Sequence, residues 1–235
     1  MPPSSPTSGA VRFSERDKRV IFSGLMLGML LAALDQTIVA TALPAMARDL
    51  RSVDHLSWIV SIYLLTSTAV TPIYGKLSDL YGRKRMLQIA VGLFVAASLL
   101  CALAANMTQL ILFRALQGFG GGGLMAMAHA TIADVVAPRE RGRYQGYFSG
   151  VFATASVAGP ALGGFFAEHL TWRWVFWINL PIGIAAIVIC NAALRRLPIR
   201  GVRHSIDYLG ALLLMAAIGE LLLVTTWGGT DYAWD

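Results

Sequence analysis

Long apolar runs, separated by short charged segments, make up most of this chain. Each run is close to or above the ~20 residues that an α-helix needs to cross ~30 Å of hydrocarbon. We therefore predict an all-α polytopic membrane protein with spans at Val20–Leu43, Leu56–Tyr74, Met86–Ala105, Gln109–Val135, Tyr144–His169, Val175–Leu194 and Tyr208–Thr226. The first run is longer than the core of a secretory signal and contains Asp35, so we interpret it as an uncleaved helix.

The composition and the distribution of charge agree with a lipid environment. Of the 235 residues, 56% are hydrophobic and only 14% are charged, whereas soluble domains carry about 25% charged residues. The net charge of +6 does not indicate a nucleic-acid partner, because the basic residues follow the predicted topology. Fifteen Lys and Arg residues fall in segments on one side of the spans and three on the other. This asymmetry predicts a cytoplasmic N-terminus in the cell (plasma or inner) membrane.

Motifs for enzyme or metal chemistry are missing from the sequence. Cys101 and Cys190 each lie in an apolar run without a motif partner, so we predict neither a disulfide nor a metal site. No nucleophile elbow, metal-ligand cluster or phosphate-binding loop occurs in a strand-to-helix context. We therefore predict that the chain is not an enzyme.

Ionisable residues inside the apolar runs are the first candidates for a functional site. Such a residue costs roughly 2.5–3.5 kcal/mol on insertion scales, so it needs a partner or a function. Asp35 lies in the first run and Arg114 in the fourth, and Glu220 in the seventh is a weaker candidate. Asp35 and Arg114 form either a structural ion pair between helices or a proton or substrate site.

The fourth run places small and polar residues beside Arg114. On a helix, Gln117, Gly118 and Gly121 share its face, which we predict to be polar and open. Glycines let another backbone approach closely, and the run Gly120–Gly123 is predicted to loosen the helix. His129, deeper in this span, is interpreted as a hydrogen-bonded packing residue rather than a proton relay.

Proline and closely spaced glycines interrupt the fifth run. Pro160 removes a backbone hydrogen bond and clashes with the preceding turn, so we predict a bend there. The side-chain-poor helix around it would be able to rock against its neighbour.

Five segments stand in order along the chain: Leu34–Pro44, Gly75–Arg85 (GKLSDLYGRKR), Arg114–Gly118 (RALQG), Gly150–Gly164 and Trp172–Pro181 (WRWVFWINLP). Together they resemble motifs of the major facilitator superfamily, and within it the fourteen-helix drug:H⁺ antiporters (EmrB/QacA-like). The resemblance covers almost the whole chain from Leu34 onward.

The resemblance implies roles for individual residues. Proton coupling is expected of Asp35 and Arg114. The substrate pathway is expected to include Gln36, Gln117, Gly118 and Gly121. The conformational-switch motif comprises Gly75, Asp79, Gly82, Arg83 and Lys84. The antiporter motif of the fifth helix comprises Gly150, Gly159, Pro160, Gly163 and Gly164.

The resemblance also implies a domain organisation. Residues 1–19 form a disordered basic cytoplasmic tail, and residues 20–194 form an N-terminal bundle of two inverted three-helix repeats. Residues 195–207 form a cytoplasmic loop, and residues 208–235 contain a seventh span and the start of the next loop. A second six-helix bundle is expected as the partner that completes the transporter.

The implied function is proton-driven efflux of amphipathic or cationic small molecules by alternating access. The proton gradient supplies the energy, and no cofactor is expected; the partners are the small-molecule substrate, protons and the lipid bilayer. Two alternatives stay open. One is a transporter of another solute, such as a metabolite or siderophore, since shared motifs do not fix the substrate. The other is a non-transporting membrane subunit.

Overall fold

The architecture comes from a computed structural model of the chain. It describes residues 15–52 and 55–194, with side chains from residue 19 to residue 191, and eight further positions between Gly210 and Val224.

Seven helices make up the continuous described segments. They are α1 (Glu15–Leu50), α2 (Leu56–Tyr81), α3 (Arg83–Ala102), α4 (Met107–Val135), α5 (Arg141–His169), α6 (Trp174–Trp177) and α7 (Asn179–Leu194). Six helical segments in the described residues, with α6 and α7 counted as one, are long and apolar enough to cross a membrane. The all-helical membrane fold predicted from the apolar runs is thereby confirmed.

The structure differs from the predicted boundaries at the start of α1 and within the sixth span. Helix α1 begins at Glu15, so the last five residues of the predicted tail are helical. A helix extends beyond the hydrocarbon at little cost, because charged residues reach the headgroups and water there. The sixth span is divided at Ile178 into α6 and α7, a break that hydropathy alone does not reveal.

The helices pack as two inverted repeats, α1 to α3 and α4 to α7. Helix α5 lies along α1, and α2 lies along α4 in the matching position of the other repeat. Helices α1 and α4 also contact each other, while α3 packs against α4 and α7 packs against α1. The first helices of the two repeats therefore meet inside the bundle, where their polar residues face one another.

The seventh predicted span lies mostly outside the described residues. Its eight described positions are helical, and Glu220 among them is exposed. The predicted cytoplasmic loop 195–207 lies wholly outside the described residues, as do residues 1–14 of the predicted tail.

Candidate functional site

An ion pair between the two repeats forms the centre of the bundle. Arg114 of α4 donates from an Nη atom to Asp35 Oδ2 of α1 at 2.6 Å. The two side chains are 1% and 0% exposed, so neither charge is hydrated in this conformation. The sequence predicted both residues and left their separation open. The structure establishes that they form a direct, buried salt bridge.

Two amide side chains complete the coordination of the Asp35 carboxylate. Gln117 Nε2 and Asn179 Nδ2 donate to Asp35 Oδ1 at 2.9 and 2.8 Å. Gln117 lies one turn after Arg114 on α4, as its i+3 spacing predicts, and its oxygen accepts from Arg114 at 2.9 Å. Asn179 is the first residue of α7, directly after the break at Ile178.

Helices α2 and α3 contribute a further layer around this network. Arg114 Nε donates to the backbone oxygen of Ile59 at 3.2 Å, and its guanidinium carbon lies 4.2 Å from the centre of the Tyr63 ring. Ser98 of α3 accepts from Asn179 at 3.0 Å and donates to the backbone oxygen of Phe176 at 2.9 Å. Groups on α2, α3, α4 and α7 thus lie within two hydrogen bonds of the Asp35 carboxylate of α1, and a third hydrogen bond reaches α6.

The arrangement ties the charge of Asp35 to the packing of the bundle. A buried ion pair is tolerated when its remaining donors and acceptors are satisfied, whereas removing one partner leaves an uncompensated charge in an apolar region. A proton on Asp35 neutralises its carboxylate and leaves the Arg114 guanidinium without a counter-ion. The bundle then has to rearrange, admit water or supply another anion to Arg114. In this geometry, the packing of α1 against α4 depends on the charge of Asp35.

The face of α4 that carries Gln117 and Gly118 is packed against α2, so the prediction of an open polar face is wrong. A Cβ atom at Gly118 would lie 2.6 Å from the backbone oxygen of Tyr63. At Gly121 it would lie 2.9 Å from the Tyr63 ring. The close approach expected of small residues between membrane helices is present. Gln36, predicted with them, is half-buried on α1 and outside the hydrogen-bond network of Asp35.

The glycine run of α4 contacts two neighbouring helices and stays helical. A Cβ atom at Gly120 would lie 2.6 Å from the backbone nitrogen of Phe94 on α3, and one at Gly122 would lie 2.7 Å from Val70 on α2. Helix α4 is continuous from Met107 to Val135, so the predicted loosening is not observed. Four successive glycines lie where two helices press on α4 from different sides.

Helix α5 uses its glycines in the same way against α1. Cβ atoms at Gly159 and Gly163 would lie 2.6 Å from Thr37 Cβ and 2.7 Å from the backbone oxygen of Ile38. Gly150 and Gly164 have open space at the same position, so the predicted antiporter motif divides into packed and unpacked glycines. The helix continues through Pro160, which is exposed.

A charged cluster joins α2, α3 and α4 at one end of the bundle, which the loop charges predict to face the cytoplasm. Arg83 pairs with Asp79 at 2.6 Å and with Asp134, at the end of α4, at 2.9 Å. The Arg83 Nη atom that does not contact Asp79 donates to the Ser78 hydroxyl and to the backbone oxygen of Gly75. Gly82, between α2 and α3, has φ 88°, a conformation that favours glycine.

Lys84 belongs to the same predicted switch motif and is partly buried at the start of α3.

A second charged cluster lies at the opposite end of the bundle. Asp49 Oδ2 accepts from Arg173 at 2.7 Å and from the Trp172 indole nitrogen at 2.8 Å. Arg173 also donates to the backbone oxygen of Ala104 at 3.1 Å, which links α1, the end of α3 and the connection before α6.

The two clusters occupy corresponding places in the inverted repeats. Asp49 and Asp134 are each the next-to-last residue of the first helix of a repeat. Arg83 and Arg173 each lie at the start of the third helical segment of a repeat. Internal symmetry therefore places one Arg–Asp pair on each side of the bundle.

Sequence reasoning missed several of these contacts. Asn179 stood within a motif segment without an assigned role, and Ser98 is one hydroxyl in an apolar run. Asp134 and Asp49 are carboxylates at span ends, where charge is unremarkable. A polar residue inside an apolar run was the available signal for Asn179 and Ser98; nothing in the linear pattern pairs Asp134 with Arg83.

Of the remaining candidates, His129 lies away from the network and Cys101 borders it. His129 is exposed, and its Nδ1 lies 2.9 Å from the backbone oxygen of Met125. The thiols of Cys101 and Cys190 are free and buried, and the Cys101 sulfur lies 3.6 Å from the Gln117 side-chain oxygen.

Residues 25–227 match the sequence profile of the Major Facilitator Superfamily. The chain belongs to this superfamily. Its relatives include the multidrug transporter protein MdtP of Bacillus subtilis, 42% identical over 93% of this chain and 40% of the relative. The efflux pump FUS6 of Gibberella moniliformis is 40% identical over 92% of this chain and 39% of the relative. An uncharacterized MFS-type transporter of Mycobacterium tuberculosis is 44% identical over 99% of this chain and 34% of the relative.

The superfamily predicted from the five motifs is confirmed, and the names of two relatives agree with the predicted drug-efflux branch. The superfamily consists of transporters, which agrees with the prediction that the chain is not an enzyme. The chain spans about 34–40% of the length of these relatives, consistent with the predicted N-terminal half.

Solved structures support the fold. The human organic anion transporter MFSD10 (TETRAN) is similar with a TM-score of 0.71, at 19% identity, over 93% of this chain and 58% of that one. A D-xylose-proton symporter is similar with a TM-score of 0.61, at 17% identity, over 90% of this chain and 55% of the symporter chain. At these identities the likeness concerns the fold alone.

Proposed function

We propose that the chain is the N-terminal bundle of a proton-driven efflux transporter for amphipathic or cationic small molecules. A second bundle completes the substrate pathway, and the two alternate access to the two sides of the membrane. The name of the FUS6 efflux pump supports the direction of transport, and the multidrug name of MdtP supports small-molecule substrates. The proton gradient supplies the energy without a cofactor.

The buried Asp35–Arg114 pair carries this proposal. It is the charged group that a proton can neutralise at the point where both repeats meet, and hydrogen bonds connect it to groups on α2, α3 and α7. Arg114, Gln117 and Asn179 all donate to the Asp35 carboxylate, so contacts with both α4 and α7 hold its charge.

The enclosure of Asp35 changes how proton and cargo compete. A cationic substrate would compete directly with the proton only if this carboxylate were open to it. Asp35 is 0% exposed, so a cation reaches it only after the bundle opens. In the proposal, proton uptake breaks the salt bridge and favours the conformation that releases cargo outside, while proton loss inside restores the pair.

The cytoplasmic cluster around Arg83 then acts as a conformational latch. Its two ion pairs tie the start of α3 to the ends of α2 and α4, and we propose that the second bundle contacts the same cluster in one state. Loss of Asp79 would change the populations of the states more than the affinity for substrate. The proposed setting is the cell membrane, with the N-terminus in the cytoplasm.

The test uses a hybrid in which this chain replaces the matching N-terminal part of Bacillus subtilis MdtP. Everted membrane vesicles are acidified inside, and proton release on adding ethidium is followed with a pH-sensitive dye. The unsubstituted hybrid should release protons when ethidium is added. Asp35→Asn should abolish this release. Arg114→Lys should retain part of it, because lysine keeps the positive charge but lacks the planar guanidinium group. Asp49→Asn, which alters an exposed pair, is the matched control and should keep most of the release.

Undiminished proton release in the Asp35→Asn hybrid would contradict the proposal and move attention to Glu220. Proton release on adding a metabolite or siderophore, with no response to cationic dyes, would favour a transporter of another solute.

A further inference from the structure

One atom of the central network has no hydrogen-bond partner. Asn179 Oδ1 is buried and has no hydrogen-bond partner. Among the described residues, the one other buried side-chain nitrogen or oxygen without a partner is Thr131 Oγ1. Buried polar groups are nearly always paired, so an exception beside the proposed proton site calls for an explanation. The other end of the same amide is fully engaged.

The geometry of the amide suggests that explanation. Asn179 Nδ2 lies 2.8 Å from Asp35 Oδ1 and 3.0 Å from Ser98 Oγ. Half a turn about the last side-chain bond exchanges nitrogen and oxygen, which puts the amide oxygen about as close to Asp35. Two acceptors repel at that distance when Asp35 is ionised. They form a hydrogen bond when Asp35 carries a proton, because a protonated carboxyl is a donor.

The other side chains that donate to Asp35 cannot exchange their donor for an acceptor in this way. Arg114 has only donors. The oxygen of Gln117 already accepts from Arg114 at 2.9 Å. Ser98 can follow the amide, since its hydroxyl hydrogen rotates and could leave the Phe176 oxygen for Asn179 Oδ1. The unpaired oxygen of Asn179 is therefore the acceptor left for a protonated Asp35.

We propose that Asn179 is the positioning residue that matches Asp35 in both of its protonation states. Its amide nitrogen donates to the carboxylate, and its amide oxygen accepts from the carboxylic acid. The proton comes from water and forms one O–H bond on Asp35, and no covalent bond within the protein breaks. The inference rests on the proposed function, in which Asp35 takes up the transported proton. Because Asn179 begins α7 beside the break at Ile178, its rotation links the proton to the contact between α3 and α7.

The experiment measures Asp35 directly and needs no transport. The 235-residue chain is reconstituted in lipid and titrated by infrared difference spectroscopy. The carbonyl band of protonated Asp35 is the one that Asp35→Asn removes. Asn179→Leu keeps a similar volume without donor or acceptor. The matched control is Asn191→Leu, because Asn191 is also on α7 and also bonds to α3, through Gln88, away from Asp35.

In Asn179→Leu the titration midpoint of the Asp35 band should rise by about one pH unit. The lost bond to a charged group is stronger than the lost bond to the neutral acid, so the acid form gains. The band should also move to higher wavenumber, because the acid has lost its acceptor. In Asn191→Leu both should stay at the wild-type values.

Identical midpoints and band positions in the two Leu variants would overturn the inference while leaving Asp35 as the proton site. A wild-type chain without a titrating Asp35 band would overturn the proton role itself, and the inference with it. If Asn179→Leu does not fold, Ser98→Ala tests the same amide through the hydroxyl that orients it. It should raise the midpoint by a smaller amount, and an unchanged midpoint would count against the inference.

Discussion

The charge balance of the Asp35–Arg114 pair predicts how its single and double variants differ in stability. Asp35→Asn leaves the guanidinium of Arg114 buried at 1% exposure without a counter-ion. Arg114→Gln leaves the carboxylate with the donors of Gln117 and Asn179. The double variant removes both charges together. We expect it to be more stable than the sum of the two single changes allows.

The expected change in the free energy of unfolding follows from the burial of the Asp35–Arg114 pair. Removing one partner of a buried ion pair costs about 3–5 kcal/mol, while replacing both by neutral groups costs much less. Asp35→Asn should therefore lower the free energy of unfolding by about 3–5 kcal/mol. Arg114→Gln should cost less, because two hydrogen bonds remain on the carboxylate. The coupling energy of the cycle should exceed about 2 kcal/mol, above the limit seen for independent sites.

Two native thiols make the measurement direct. Cys101 and Cys190 are free and buried, so a fluorogenic maleimide reports their exposure as the purified chain unfolds on heating in detergent. A loss of 3–5 kcal/mol corresponds to a fall in the midpoint temperature on the order of 10 °C. Asp49→Asn is the control, because its pair with Arg173 is 48% and 33% exposed and should contribute at most about 1 kcal/mol.

Additive effects of the two single changes, or single changes no larger than that of Asp49→Asn, would refute the reasoning. Either result would mean that Asp35 and Arg114 are hydrated or separated in the protein.

Three further predictions concern helix packing, the cytoplasmic cluster and orientation. Gly163→Leu should lower the thermal midpoint, because its Cβ has no room against α1, whereas the adjacent Gly164→Leu should leave the midpoint near wild type; equal midpoints would contradict the packing of α5 on α1. Asp134→Asn should leave the unfolding free energy within about 1 kcal/mol but slow export by the MdtP hybrid, and wild-type export would reduce the cluster to an orientation signal. Cysteine at exposed Gly142 should react with a membrane-impermeant maleimide only after the cells are opened, and cysteine at exposed Ala105 should react in intact cells; the reverse pattern would invert the topology.

The sequence by itself determined the membrane fold and the most unusual residues. A hydrocarbon layer of about 30 Å demands apolar runs of a minimum length, so the sequence predicted six of the spans, and the helices found extend up to seven residues beyond the predicted ends. The same layer makes charges expensive, which singled out Asp35 and Arg114 before any contact was known. Helical periodicity placed Gln117 beside Arg114, because residues three apart share a face. Such properties depend on local composition and spacing.

Only the tertiary structure decided which helices meet and how the charges are used. Hydropathy cannot tell a helix face that lines a path from one that packs on a neighbour, and both suit small residues. For this reason the face of α4 bearing Gly118 was expected to be open and is instead in contact with α2. The partnership of Asp35 with Asn179 joins residues 144 positions apart, and it arises from the packing of α7 on α1. Contacts at that separation depend on helix packing, which no local pattern in the sequence specifies.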